Sequence, residues 1–121
     1  MSIRPEFAYA ILRGDKRYEF RRRAFARPVD VVVIYATLPV GRVIAEFEVG
    51  SIITESPRVL WDQTYQFAGI DEERFFRYFE GLEQGHAIEV GAVRPYATSF
   101  CPVQAFGIAP PQSFAYLDPE P

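Results

Sequence analysis

Apolar and polar positions alternate with two different periods along this chain, and the switches between them mark out the elements. RPEFAYAILRG, residues 4–14, places Phe7, Ala10 and Ile11 on one helical face, with Pro5 at the first helical position and Gly14 as terminator. KRYEFRR then changes to a period of two. Tyr18 and Phe20 point one way while Arg17, Glu19 and Arg21 point the other, the pattern of a half-buried strand with an open polar face. Val29 to Tyr35 is a β-branched apolar run, short enough to favour a buried strand over a helix. Pro39 and Gly41 mark a turn into RVIAEFEVGSIIT, where Val43, Ala45, Phe47 and Val49 alternate with Ile44, Glu46 and Glu48. The two runs predict an antiparallel hairpin.

Between Ser56 and Leu82 the helical period returns. SPRVLWDQTYQF has Ser56 as cap and Pro57 at its first position. IDEERFFRYFEGL is the clearest helix: Asp71 caps it, Glu72 and Glu73 sit at the positive end of its dipole, and Glu73 faces Arg77 one turn on. Phe75, Phe76 and Phe79 give it a core face, and Gly81 stops it. HAIEVGAVRPY reads as strand again. Six prolines follow from Pro95 onward, which predicts an extended edge wrapping the domain rather than a central strand. The order predicts one α+β domain over residues 1–121, built on a mostly antiparallel, barrel-like sheet, with its last residues frayed.

Composition narrows the possibilities. At 121 residues with 49% apolar and 24% charged residues, the chain fits one soluble domain. No apolar run is long enough to cross a membrane, and MSIRPEFAY lacks the pattern of a signal peptide. One cysteine, Cys101, permits no internal disulfide, which suits a reducing cytoplasm. One cysteine and one histidine, His86, leave no zinc set, so neither a metal cluster nor a cofactor is expected. The net charge of −3 conceals an asymmetry: residues 1–28 hold eight basic and three acidic residues, and residues 29–121 hold five basic and thirteen acidic. A phosphate-binding patch must therefore come mostly from the first quarter of the chain.

That quarter contains GDKRYEFRRR, residues 14–23, in which Glu19 stands between two aromatics and among basic residues, with Asp15 the other carboxylate. Reduced to a pattern it is G-x-K-x-x-E-x-R: Gly14, Lys16, Glu19, Arg21. Gly14 lets the chain leave the helix through a conformation other residues disfavour. A cation, an acceptor and a bidentate donor converge there, which suits a nucleotide's phosphate and its amine or hydroxyl groups. The plainer alternative is an exposed Glu–Arg pair on a sheet face, worth at most about 1 kcal/mol. No GxSxG elbow, P-loop or Rossmann glycine set is present.

With these four residues in place, the chain resembles the ASCH family of the PUA-like superfamily, as a single-domain bacterial or archaeal-type member. The likeness extends through VVVIYATLPVGRVIAEFEVG, SPRVLW, YFEG and PPQSFAYL, from residue 2 to about residue 117. It implies a β-barrel with short flanking helices and a cleft into which Lys16, Glu19 and Arg21 project. It also implies binding of RNA or a modified nucleotide. Some small members hydrolyse acylated cytidine with the motif lysine, a threonine and a glutamate. In that branch the threonine falls where this chain has Glu19, a departure that counts against the same reaction here.

The alternative to binding is an enzyme, either such a hydrolase or a ribonuclease, with Lys16 and Glu19 catalytic. Arg23, Tyr35, Thr37, Gln112 and Ser113 join as candidate ligand-binding residues: Arg23 by charge, Tyr35 and Thr37 at a strand end, Gln112 and Ser113 on a proline-stiffened loop. Trp61 can serve either stacking or packing.

Overall fold

The computed structural model describes residues 1–107, 110–111 and 113–117. The elements in chain order are β1 (Ser2–Ile3), α1 (Pro5–Arg13), β2 (Tyr18–Arg21), β3 (Val31–Ala36), β4 (Arg42–Glu55), α2 (Pro57–Thr64), α3 (Glu72–Tyr78), β5 (Gly85–Phe100) and α4 (Pro102–Phe106). A 3₁₀ turn, Tyr65–Phe67, follows α2. No helix among the described residues is long and apolar enough to cross a membrane.

The five strands make one mixed sheet in the order β1-β3-β4-β5-β2. Only β1 and β3 run parallel; the other pairs are antiparallel. Closure of this sheet into the expected barrel is not seen among the described residues. Its hydrogen-bond ladder is open among the described residues, and its two edge strands, β1 and β2, meet through a side chain: an Arg21 Nη2 donates to the Ser2 carbonyl at 2.9 Å. The two-residue β1 is absent from the sequence expectation because an element so short has no measurable period.

Sequence signals account for the helix ends. Arg4 and Pro5 open α1, and Gly14 closes it in the left-handed conformation, φ 84°. Ser56 and Asp71 cap α2 and α3 by accepting from the Val59 and Arg74 amides. The β3–β4 hairpin forms as predicted. The proline-rich end differs from the expectation, because β5 continues through Pro95 to Phe100 and pairs with β4 in the middle of the sheet. Beyond Val90, β5 has left β2 behind and has β4 as its one sheet neighbour. It is locally an edge, where a residue without an amide proton is tolerated. A short α4 then turns the chain, and residues 113–117 cross the outer face of β3, where Phe114 packs on Phe25 with ring centres 5.1 Å apart.

Two apolar clusters lie on opposite faces of the sheet. One gathers Ile3, Ala8, Ile11, Ile34, Ala45, Phe47 and Ile88 under α1. The other gathers Phe20, Leu60, Ala68, Phe75, Phe79 and Ala87 under α2 and α3. Trp61 belongs to the second as a packing residue, 5.0 Å from the Phe75 ring centre. Phe75 is its hub, with ring centres 5.0 Å away at both Phe20 and Phe79. Phe75→Ala should therefore lower unfolding stability by about 3–5 kcal/mol, read from urea denaturation; a loss below about 1 kcal/mol would contradict that role.

Candidate functional site

The reversal at Gly14 starts the site. With α1 ended in the left-handed conformation, the Asp15 and Lys16 amides both return to the Ala10 carbonyl, at 3.0 and 3.1 Å. Lys16 is thereby turned under the helix instead of outward. The Arg17 amide next bonds the Phe67 carbonyl at 2.8 Å, and β2 begins. The register of β2 on β5 sets Glu19 opposite Ile88, Phe20 opposite Ala87 and Arg21 opposite His86. Phe20 accordingly enters the aromatic cluster, while Glu19 and Arg21 share the other face.

That other face is closed, contrary to the open polar face expected from alternation. Lys16, Glu19 and Arg21 are 2%, 6% and 8% exposed. The cover comes from distant parts of the chain: Ser2 in β1 and Ser113 near the C-terminus both bond Arg21. Arg21 Nη2 reaches Glu19 Oε2 at 2.7 Å, and Nη1 donates to Ser113 Oγ at 3.2 Å. Arg21 Nε is buried with no hydrogen-bond partner among the described residues. Lys16 Nζ donates to the Ala68 carbonyl at 2.6 Å and stands 3.6 Å from Glu19 Oε1, an ion pair longer than a hydrogen bond. The Phe20 and Phe7 ring centres lie 4.8 and 5.2 Å from the same ammonium.

Burial holds the Lys16 ammonium below its ordinary pKa, and Glu19 opposes that shift. The Met1 amino group, bonded to the Val33 carbonyl, is pushed down to about 6 by burial and then by Arg21. Tyr78, whose hydroxyl donates to the Phe20 carbonyl at 3.2 Å, is raised by burial.

Lys16, Glu19, Arg21 and Tyr78 line a cleft of about 520 Å³. Its lining has six cations, Arg4, Lys16, Arg21, Arg22, Arg74 and Arg77, and one carboxylate, Glu19. In a chain of net charge −3 this is a strong local reversal of sign. Four of the six come from the first 28 residues, as the charge asymmetry implies; Arg74 and Arg77 come from α3. Those two look like ordinary partners of surface carboxylates, since Arg74 pairs with Glu6 and Arg77 with Glu73, each at 2.8 Å. Nothing in their local sequence reveals that α3 turns them toward β2.

The remaining candidates separate. Thr37 lines the cleft. Ser113 lies beside Arg21, and Gln112 falls outside the described residues. Arg23 is exposed beyond the end of β2, and its neighbour Arg22 lines the cleft in its place. Tyr35 is on the outer face of β3. The alternation that buries Ile34 and Ala36 turns Tyr35 to a second, mostly apolar cavity of about 420 Å³, which Phe106, Pro111 and Phe114 also line. His86 bonds Thr54 Oγ1 through Nδ1 at 2.8 Å. Among the described residues no group of three or more His, Cys, Asp or Glu side chains is placed to hold a metal ion.

The buried lysine makes stability depend on pH with a definite sign. Its folded pKa lies below the ordinary 10.5, so between the two values the unfolded chain binds more protons and stability rises with pH. The difference in unfolding free energy between wild type and Lys16→Met should therefore grow in favour of wild type as pH climbs toward 10. A difference that stays flat or falls across that range, measured by urea titration, would refute the assignment.

Comparison with known proteins places the fold and the family. The ASCH domain family model matches residues 1–112. A curated protein from Zymomonas mobilis, described as an ASCH domain-containing ribonuclease, is 33% identical over 124 aligned residues, covering 99% of this chain and 84% of its own length. The crystal structure of ASCH from Zymomonas mobilis superposes with a TM-score of 0.88 at 32% identity, over 98% of this chain and 85% of that one. Structures of a Tyr→Phe and a Ser→Ala mutant of that protein superpose with the same score, covering 88% and 86% of those chains. The motif, the fold and the nearly full-length match agree that this chain belongs to the ASCH domain family.

Proposed function

We propose that this protein is a ribonuclease that draws single-stranded RNA into the cationic cleft and cleaves it beside Lys16, Glu19 and Arg21. The observation that carries the reading is the lining itself: among the described residues, six cations around one carboxylate, with a buried Arg21 Nε that has no hydrogen-bond partner among them. A phosphodiester needs cations to bind, and its cleavage needs a base and an acid within reach of one phosphorus. The relative described as a ribonuclease favours cleavage over binding alone. The acylated-cytidine reaction draws no support from these residues, since Glu19 occupies the threonine position of that branch.

The chemistry suited to these groups is transesterification. The 2′-oxygen of the substrate attacks the adjacent phosphorus as its proton passes to Glu19 Oε1, the oxygen Arg21 leaves free. The phosphorus–O5′ bond breaks, and the departing oxygen takes a proton from the Lys16 ammonium. Burial favours that transfer, because it lowers the affinity of Lys16 for its proton. Arg21 meets the charge that builds on the phosphoryl oxygens. Return of the proton from Glu19 to Lys16 restores the site, and the products are a 2′,3′-cyclic phosphate and a 5′-hydroxyl.

Labelled single-stranded RNA incubated with the protein, with and without a chelator, should be cut to fragments bearing those ends. Lys16→Ala and Arg21→Ala should each slow cleavage by about a hundredfold or more if the variants remain folded by circular dichroism. With three or four phosphate contacts, log affinity should fall against log salt with a slope of about −2 to −3. Binding without cleavage would leave an RNA-binding module, and neither binding nor cleavage would sink the reading.

A further inference from the structure

Two of the cleft's cations sit over aromatic rings. Arg22 Cζ is 4.2 Å from the centre of the Tyr78 ring, and its Nε donates to the Tyr78 carbonyl at 2.7 Å. Arg74 Cζ is 5.0 Å from the centre of the Phe7 ring, held by Glu6 at 2.8 Å. All four side chains line the same cleft. We propose that Arg22 on Tyr78 and Arg74 on Phe7 are two base-stacking platforms of the cleft. This rests on the ribonuclease reading of the cleft and names how the bases of its substrate are held.

The rings carry bound cations, so a ligand entering the cleft meets guanidinium groups. Their planes stack on bases as aromatic rings do. Both are held in position before any ligand arrives, which reduces the ordering cost of binding. The charge of Arg74 is already matched by Glu6, so its remaining use to a ligand is its flat face more than its charge. Lysine would serve as a counter-charge at either place, and a planar group on a ring is what distinguishes these two residues.

The test uses a short 2′-O-methyl oligoribonucleotide, which lacks the attacking hydroxyl, and a fully abasic counterpart with the same phosphates. Wild-type protein should prefer the oligomer with bases by about fivefold or more for each stacked base. The double variant Arg22→Lys, Arg74→Lys keeps both charges; it should lose most of that preference and keep the wild-type salt slope. The single lysine variants carry the same test if the double variant melts early. A variant that retains the wild-type preference, or a wild type that binds both oligomers equally, overturns the platforms and leaves the ribonuclease reading standing. A wild type that binds neither oligomer and cuts no RNA removes both.

Discussion

The structure depends on placing one carboxylate between two cations out of water. Glu19 has Arg21 on one oxygen and Lys16 near the other, and all three are almost fully covered. Such a group is stable only when every member keeps its partner, because an unmatched buried charge costs several kcal/mol. The architecture around it supplies those partners from far along the chain. Arg21 bonds a carbonyl of β1 and a hydroxyl near the C-terminus, and Lys16 bonds the carbonyl of Ala68. The charge cluster thereby ties both edges of the sheet and both ends of the chain to one point.

The opposite face of β2 makes that point rigid. Phe20 is clamped between Phe75 and Phe79, whose helix also brings Arg74 and Arg77 to the cleft. The link between the aromatic cluster and the charges is the segment Ala68–Gly69. A side chain on Gly69 would stand 2.6 Å from the Lys16 Cβ and Cγ, and its φ of 66° independently favours glycine. Gly69 lets the backbone close over the lysine stem, so packing on one face of the sheet fixes the ammonium on the other.

Local patterns were readable wherever the interaction is local. Gly14, Ser56 and Asp71 announce their helix ends, and alternation in KRYEFRR correctly groups Glu19 with Arg21 apart from Phe20. Whether that shared face is open or closed is decided by Ser2 and Ser113, which lie 19 and 92 residues from Arg21 in the chain. No periodicity carries that information. The same holds for Arg74 and Arg77, whose carboxylate partners explain them fully in sequence while their place on the cleft follows from tertiary packing. Pro95 misleads for a related reason: a strand can be central along half its length and an edge along the other.

The two faces of β2 have a consequence for how the chain finds its alignment. Sliding β2 by one residue along β5 would drive Glu19 and Arg21 into the apolar cluster of Leu60, Ala68, Phe75, Phe79 and Ala87 and move Phe20 out of it. Either error is too unfavourable to persist, so few alternative pairings compete with the observed one. The residues that make the cleft are also the ones that tell the strand where to stop, and the chemistry of the site doubles as its ruler.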